Sequence, residues 1–218
     1  MSLLPCAEIE PKATATRSVI WLHGLGADGN DFVPIVPELQ LPDSPPVRFV
    51  FPHAPTMPVT INNGMRMPAW YDILDISIDR KVDEPQLRAS AEQVKALIER
   101  EIERGVDSRH IVLAGFSQGG AVAYEAALSF DQPLAGLMAL STYFATADSV
   151  ALNPANQQLP ILIQHGVNDP IVPEALGQQA RTRLQSLGYR PQYDTFPMAH
   201  EVCMPQIRTI SQWLQSVL

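Results

Sequence analysis

A chain of 218 residues, 46% of them hydrophobic and 17% charged, has room for one α/β domain with a sizeable core and is not a disordered polymer. Its formal net charge of −8, with no run of Lys or Arg, excludes a nucleic-acid or anionic-membrane surface as the partner. Two cysteines, Cys6 and Cys203, make no disulfide scaffold, although a single bridge between them stays open. The opening residues carry neither the basic nor the apolar stretch of a signal peptide, and no apolar run is long enough to span a bilayer. The cytoplasm is the expected place.

In chain order, residues 17–22 (Arg-Ser-Val-Ile-Trp-Leu) predict a buried strand that runs into His23-Gly-Leu-Gly-Ala-Asp-Gly29. Gly24-x-Gly26-x-x-Gly29 matches the dinucleotide fingerprint, which wants an acid at the end of the next strand to hold a ribose. That strand, residues 47–52, runs into His53 instead, and Pro34 and Pro37 would break the helix the fingerprint requires. The better reading is a glycine loop whose N–H groups point at a reacting oxygen.

Residues 54–77 hold prolines, a turn at Asn63-Gly64, three methionines and a Trp-Tyr pair, with no sustained period. They predict an irregular excursion lining an apolar pocket, with Met57, Met65, Met67 and Trp70 as walls. Residues 83–104 predict an amphipathic helix with Leu87, Ala91, Val94, Ile98 and Ile102 inward, Gly105 ending it, and its charged face in water.

Ile111-Val-Leu-Ala-Gly-Phe-Ser-Gln-Gly-Gly120 follows: a buried strand, a very tight turn and an alanine-rich helix. Gly115-x-Ser117-x-Gly119 in that context is a nucleophile elbow, where glycines are needed because strand and helix backbones pass too close for a Cβ. Further strands are expected at 134–141, 159–166 and 189–196, helices at 174–187 and from about 204 to the C-terminus, and a surface connection at 145–158. Strands alternating with helices mean a mostly parallel sheet covered on both faces, in a single domain over residues 1–218.

A serine nucleophile needs a base, and the base needs an orienting acid. On sheets with such an elbow the three come in the order serine, acid, histidine. Of the five histidines only His165 and His200 follow Ser117, and His200 lies in the loop after the last strand. Asp169 stands just past a strand's C-terminal end, where open α/β sheets place their sites, whereas Asp194 falls within a strand and Asp131 and Asp148 follow none. A carboxylate that only caps the next helix is the alternative role for Asp169.

His23-Gly-Leu-Gly-Ala-Asp-Gly, Gly115-Phe-Ser-Gln-Gly-Gly, His165-Gly-Val-Asn-Asp-Pro-Ile-Val-Pro173 and Met198-Ala-His200 together resemble the small carboxylesterase/acyl-protein thioesterase family. The resemblance covers almost the whole chain. It implies an α/β-hydrolase fold without a cap domain, Ser117 as nucleophile, Asp169 as acid and His200 as base. The backbone N–H groups of Leu25 and Gln118 would form the oxyanion hole. One departure is Pro197-Met-Ala199, where a glycine is expected near the histidine. The expected activity is hydrolysis of short- to medium-chain carboxylic esters through an acyl-enzyme. Long-chain acyl-thioester or lysophospholipid hydrolysis is one alternative, and a non-catalytic ligand-binding module another. No ligand cluster with metal spacing occurs, so no metal or cofactor is expected. A homodimer paired through an exposed apolar patch stays open.

Overall fold

The computed structural model describes residues 3–76 and 81–218, so Ser77, the last residue of the expected excursion, lies outside the described residues. Strands β1 (Cys6–Ile9), β2 (Arg17–Leu22) and β3 (Val47–Pro52) open the chain, with a short helix α1 (Ile35–Leu39) between the last two. Four short strands follow: β4 (Thr56–Val59), β5 (Met65–Pro68), β6 (Ile73–Asp75) and β7 (Lys81–Val82). The rest runs α2 (Glu84–Glu103), β8 (Ile111–Phe116), α3 (Gln118–Ser129), β9 (Gly136–Leu140), β10 (Ile161–Gly166), α4 (Glu174–Ser186), β11 (Gln192–Phe196) and α5 (Met204–Val217). Helix and strand alternate here except between β9 and β10, which are joined without an α-helix.

Seven strands form one sheet in the order β1-β3-β2-β8-β9-β10-β11. Only β1 runs antiparallel to its neighbour; every other pairing is parallel. A parallel sheet needs helices on both faces, and alternate residues of each strand go to opposite cores. Ile20, Leu22, Ile111, Leu113 and Ile163 face α2, α3 and α4, while Val19, Trp21, Val112, Ala114 and Leu162 face α1 and α5. This two-sided burial is why each of these strands carries a run of three or more consecutive apolar residues.

The strand ends differ from the expected ones for a local reason. β10 starts after Pro160 and β11 after Pro191, because a proline has no N–H to give the ladder. The helices start and stop on ordinary signals. The Asp83 carboxylate accepts from the Gln86 N–H at 3.0 Å to cap α2, and Gly105 and Gly188 take left-handed φ values of 96° and 94° beyond α2 and α4.

Three expectations need correction. The excursion is not irregular, since β4 and β5 form a hairpin, with Asn63 and Gly64 at φ 54° and 73° in its turn, and β6 pairs with β7. Residues 145–158 are not all surface, because Thr146 and Asn156 are buried. The charged face of α2 is not wholly in water either. Glu101 is fully buried, where it takes hydrogen bonds from Ser18 Oγ (3.1 Å), Arg48 Nη1 (2.8 Å), Arg100 Nη2 (3.1 Å) and Arg104 Nη1 (2.9 Å).

Arg48 is itself nearly buried, so removing Glu101 strands a cation that the partly exposed Glu10 only half compensates. Glu101→Ala is expected to lower stability by about 3 kcal/mol, the lower end for breaking a buried ion pair. Urea unfolding measures it. A loss under roughly 1 kcal/mol would show that the pair behaves as a surface one.

Both cysteines are free. Among the described residues, no helix is long and apolar enough to cross a membrane.

Candidate active site

The sheet's register brings the chemistry to one edge. Leu22 pairs with Gly115, Phe116 with Leu140, Leu140 with Gln164 and Gly166 with Phe196, so β2, β8, β10 and β11 end at the same edge, with β10 and β11 running two residues beyond β8. The loops that leave these ends carry the glycine loop, Ser117, Asp169 and His200.

Ser117 sits at φ 53° and ψ −121°, a conformation that L side chains rarely adopt. Three hydrogen bonds hold it there: its N–H donates to the Leu140 carbonyl (2.9 Å), and its carbonyl accepts from the Gly120 N–H (3.0 Å) and the Thr142 hydroxyl (2.6 Å). A Cβ on Gly119 would lie 2.5 Å from the His23 carbonyl oxygen, and one on Gly120 would lie 2.6 Å from the Thr142 side chain. Only glycine lets α3 start this close to β2 and β9.

His200 Nε2 is 2.9 Å from Ser117 Oγ, and His200 Nδ1 is 2.7 Å from Asp169 Oδ2. The carboxylate can only accept, so Nδ1 carries the proton and Nε2 turns its lone pair to the hydroxyl. Asp169 Oδ1 accepts from the N–H groups of Ile171 (2.9 Å) and Val172 (2.8 Å). Asp169 therefore does not cap the following helix; Pro173 stands at that position with no side-chain cap. The Phe116 ring tilts against His200 at 4.7 Å between centroids. The missing glycine near His200 is made up from across the loop, because a Cβ on Gly166 would lie 2.5 Å from the Met198 carbonyl oxygen.

Burial works against the Asp169 charge, but the hydrogen bond from His200 and the two amides prevail, so its carboxyl lies below the usual carboxylate value. Burial also pushes the His23 and His165 imidazoles below their ordinary value of 6.5. All three groups bind protons more weakly folded than unfolded. Their stabilising contribution is complete above the unfolded values and is lost as pH falls, first through the window below 6.5 for the two histidines, then below 3.8 for Asp169. The urea midpoint is expected to be lower at pH 5.5 than at pH 7.5. An unchanged or higher midpoint at the lower pH would contradict this balance.

The glycine loop is built on His23. Its Nε2 accepts from the Ala54 N–H (3.1 Å), which leaves Nδ1–H to donate to the Gly24 carbonyl (2.7 Å). The amides of Gly26, Ala27 and Gly29 are engaged with Pro68 O, Gly24 O and His53 Nδ1. Leu25 and Gln118 face the cavity beside Ser117. As the first residue of α3, Gln118 has no carbonyl one turn back for its N–H. Its buried side chain accepts from the Trp70 N–H (2.9 Å) and donates to the Tyr71 carbonyl (2.6 Å), tying the excursion to the elbow.

A cavity of about 380 Å³ opens over Ser117 and His200, with apolar walls from Leu25, Ile61, Ile73, Phe116, Ile171 and Val172. Of the expected walls, Met57, Met65 and Trp70 do not line it, and Met67 sits behind the lining residue Asn62, whose Nδ2 donates to its Sδ at 3.2 Å. Trp70 is fully buried, and an indole N–H in a core must find an acceptor. It finds the His23 carbonyl at 2.9 Å, so the ring lies under the glycine loop instead of in the pocket. Met57 and Met67 face each other across the β4–β5 hairpin, and Met65 is 65% exposed. The excursion does line the cavity, but through its isoleucines. The second half of Asp169-Pro-Ile-Val172 supplies the facing wall, a role its place beside the acid could have suggested.

Comparison with known proteins agrees with this architecture. The family model described as phospholipase/carboxylesterase matches residues 4–218. The chain is 36% identical to acyl-protein thioesterase 1 of Neurospora crassa, over 93% of this chain and 87% of that protein. It is 35% identical to acyl-protein thioesterase 1 of Cryptococcus neoformans, over 97% and 96%. Among solved structures, acyl-protein thioesterase 2 of Zea mays superposes with a TM-score of 0.86 at 25% identity, covering 97% of this chain and 98% of that one. SOBER1 of Arabidopsis thaliana gives 0.85 at 27%, covering 92% and 98%. The chain belongs to the phospholipase/carboxylesterase family of α/β-hydrolases and is a serine hydrolase acting on ester or thioester bonds.

Proposed function

We propose that Ser117, His200 and Asp169 are the catalytic triad of a carboxylesterase for short- to medium-chain acyl groups. The observation that carries this reading is the hydrogen-bonded line from Ser117 Oγ through His200 to the Asp169 carboxylate, at the floor of an apolar cleft. Ser117 Oγ attacks the carbonyl carbon while His200 Nε2 takes its proton. The N–H groups of Leu25 and Gln118 hold the tetrahedral oxyanion, each lowering the barrier by roughly 3–4 kcal/mol. His200 returns the proton to the departing alcohol or thiol, and water repeats the sequence on the acyl-enzyme. Asp169 fixes the imidazole tautomer and stabilises the imidazolium that forms. The Ile171 and Val172 amides hold the carboxylate still meanwhile.

The walls set the acyl preference. Each methylene that the cleft covers adds about 0.8 kcal/mol, roughly fourfold in kcat/KM, until the cavity is full. A series of p-nitrophenyl esters from acetate to palmitate, run beside acyl thioesters, tests this. The expected result is a rise through butyrate to octanoate followed by a plateau or fall. The similarity to acyl-protein thioesterases favours a second reading, hydrolysis of long-chain acyl thioesters. A rate that climbs to palmitate, with thioesters preferred over esters, would support that reading and reject the first.

A further inference from the structure

Once the triad has taken His200 and the glycine loop His23, one buried histidine is left unused. His165 lies on β10, four residues before Asp169, and is fully buried. Its Nε2 is 2.8 Å from the Val172 carbonyl oxygen and 3.7 Å from Asp169 Oδ2, the same oxygen that His200 engages. A carbonyl can only accept, so Nε2 carries the proton, and the lone pair is left on Nδ1, which has no hydrogen-bond partner.

The fold makes room for this ring. Nδ1 faces Gly177 of α4, where a Cβ would lie 2.6 Å from it. Glycine inside a helix costs about 1 kcal/mol relative to alanine, so α4 carries a destabilising residue where the imidazole presses against it. Val172 is where the two sides meet. Its carbonyl takes the His165 N–H, while its own N–H donates to Asp169 Oδ1 at 2.8 Å.

We infer that His165 is a positioning residue for the acid: its Nε2–H anchors the 169–172 turn through the Val172 carbonyl and so aims the Asp169 carboxylate at His200. The inference rests on the reading of Asp169 as the triad acid. Remaining uncharged is part of the role, because an imidazolium beside Asp169 would compete with the one that forms on His200 during turnover. Burial favours the neutral ring. The titratable groups around it are Asp169 and His200 on the site side, Glu174 on α4 and Tyr193 on β11, whose hydroxyl donates to Glu174. None of them is a cation while His200 is neutral.

The test compares His165→Leu, which keeps the bulk and loses the donor, with His165→Gln, whose amide can restore an N–H near the Nε2 position. In the leucine variant kcat is expected to fall on the order of 100-fold, the scale of a misplaced catalytic group, with KM unchanged. The acid limb of its kcat/KM profile is expected to move to lower pH, because a loosened Asp169 stabilises the His200 imidazolium less. His165→Gln is expected to recover most of both. Wild-type kcat and acid limb in the leucine variant, a loss confined to KM, or a glutamine variant no better than the leucine one would overturn the inference. If the leucine variant does not fold, imidazole ¹⁵N spectra of the unmodified protein decide. A neutral Nε2–H tautomer at pH 7 supports the role, and an Nδ1–H tautomer or an imidazolium rejects it. Asp169→Asn run in parallel separates the two levels. If that variant keeps wild-type turnover, the triad reading fails. If it loses turnover while His165→Leu does not, only the role of His165 fails.

Discussion

Ser117→Ala is expected to fold as the unmodified protein does and to lose kcat on the order of 10⁶-fold. The fold should survive because the three hydrogen bonds that hold this turn use the Ser117 backbone, not its hydroxyl. The hydroxyl's partner is His200, a half-buried loop residue. Losing that bond costs stability about 0.5–1.5 kcal/mol, a small fraction of what a domain of this size has. The loss in rate is large because no neighbouring group can replace the nucleophile, so only the oxyanion donors and substrate binding remain. Active-site-directed kinetics on protein whose thermal unfolding matches wild type would check this. Substantial residual hydrolysis by the variant would remove Ser117 as the nucleophile.

Asp169→Asn should cost about 10⁴-fold in kcat while leaving the turn intact. The asparagine Oδ1 can keep both amide hydrogen bonds from Ile171 and Val172, so the loop has no reason to move. What changes is the group facing His200. An NH₂ would replace the Asp169 oxygen that now accepts from Nδ1 at 2.7 Å, and a donor cannot receive a donor. The imidazole then holds its proton on Nε2 and presents N–H to the serine hydroxyl in place of a lone pair. The base is present but in the wrong tautomer. Turnover within about tenfold of wild type would mean that orientation of His200 does not depend on this carboxylate.

What could be read from the sequence follows where local signals and tertiary context agree. β2, β8, β9 and β10 were legible because two-sided burial gives each an apolar run, at residues 19–22, 111–114, 137–140 and 161–163. The elbow was legible because three glycines sit at positions where a Cβ would meet backbone or the Thr142 side chain within 2.6 Å. Asp169 could be separated from its rivals by its place after a strand. Asp194 lies on the edge strand β11, bonded to Gln164 and Gln192, and Asp148 is a 94% exposed partner of Arg183. Less was legible where a distant residue decides. β1, the β4–β5 hairpin, the β6–β7 pair and α1 are too short to declare themselves without their partners. The α2 pattern could not show that Arg48 on β3 reaches over to Glu101 and turns a solvated face into a buried ion pair. The place of Trp70 turns on a single hydrogen bond. Nothing in the local composition reveals that the Trp70 indole N–H reaches the His23 carbonyl and carries the ring under the glycine loop.

Covalent labelling with a fluorophosphonate tests the central claim most directly, because the reagent needs an activated serine beside an oxyanion site and no particular acyl chain. The expected result is one phosphonyl group per chain, mapped by mass spectrometry to Ser117, with activity lost in step with labelling and no adduct on Ser117→Ala. An unlabelled active protein, or an adduct at another residue with hydrolysis retained, would contradict the assignment.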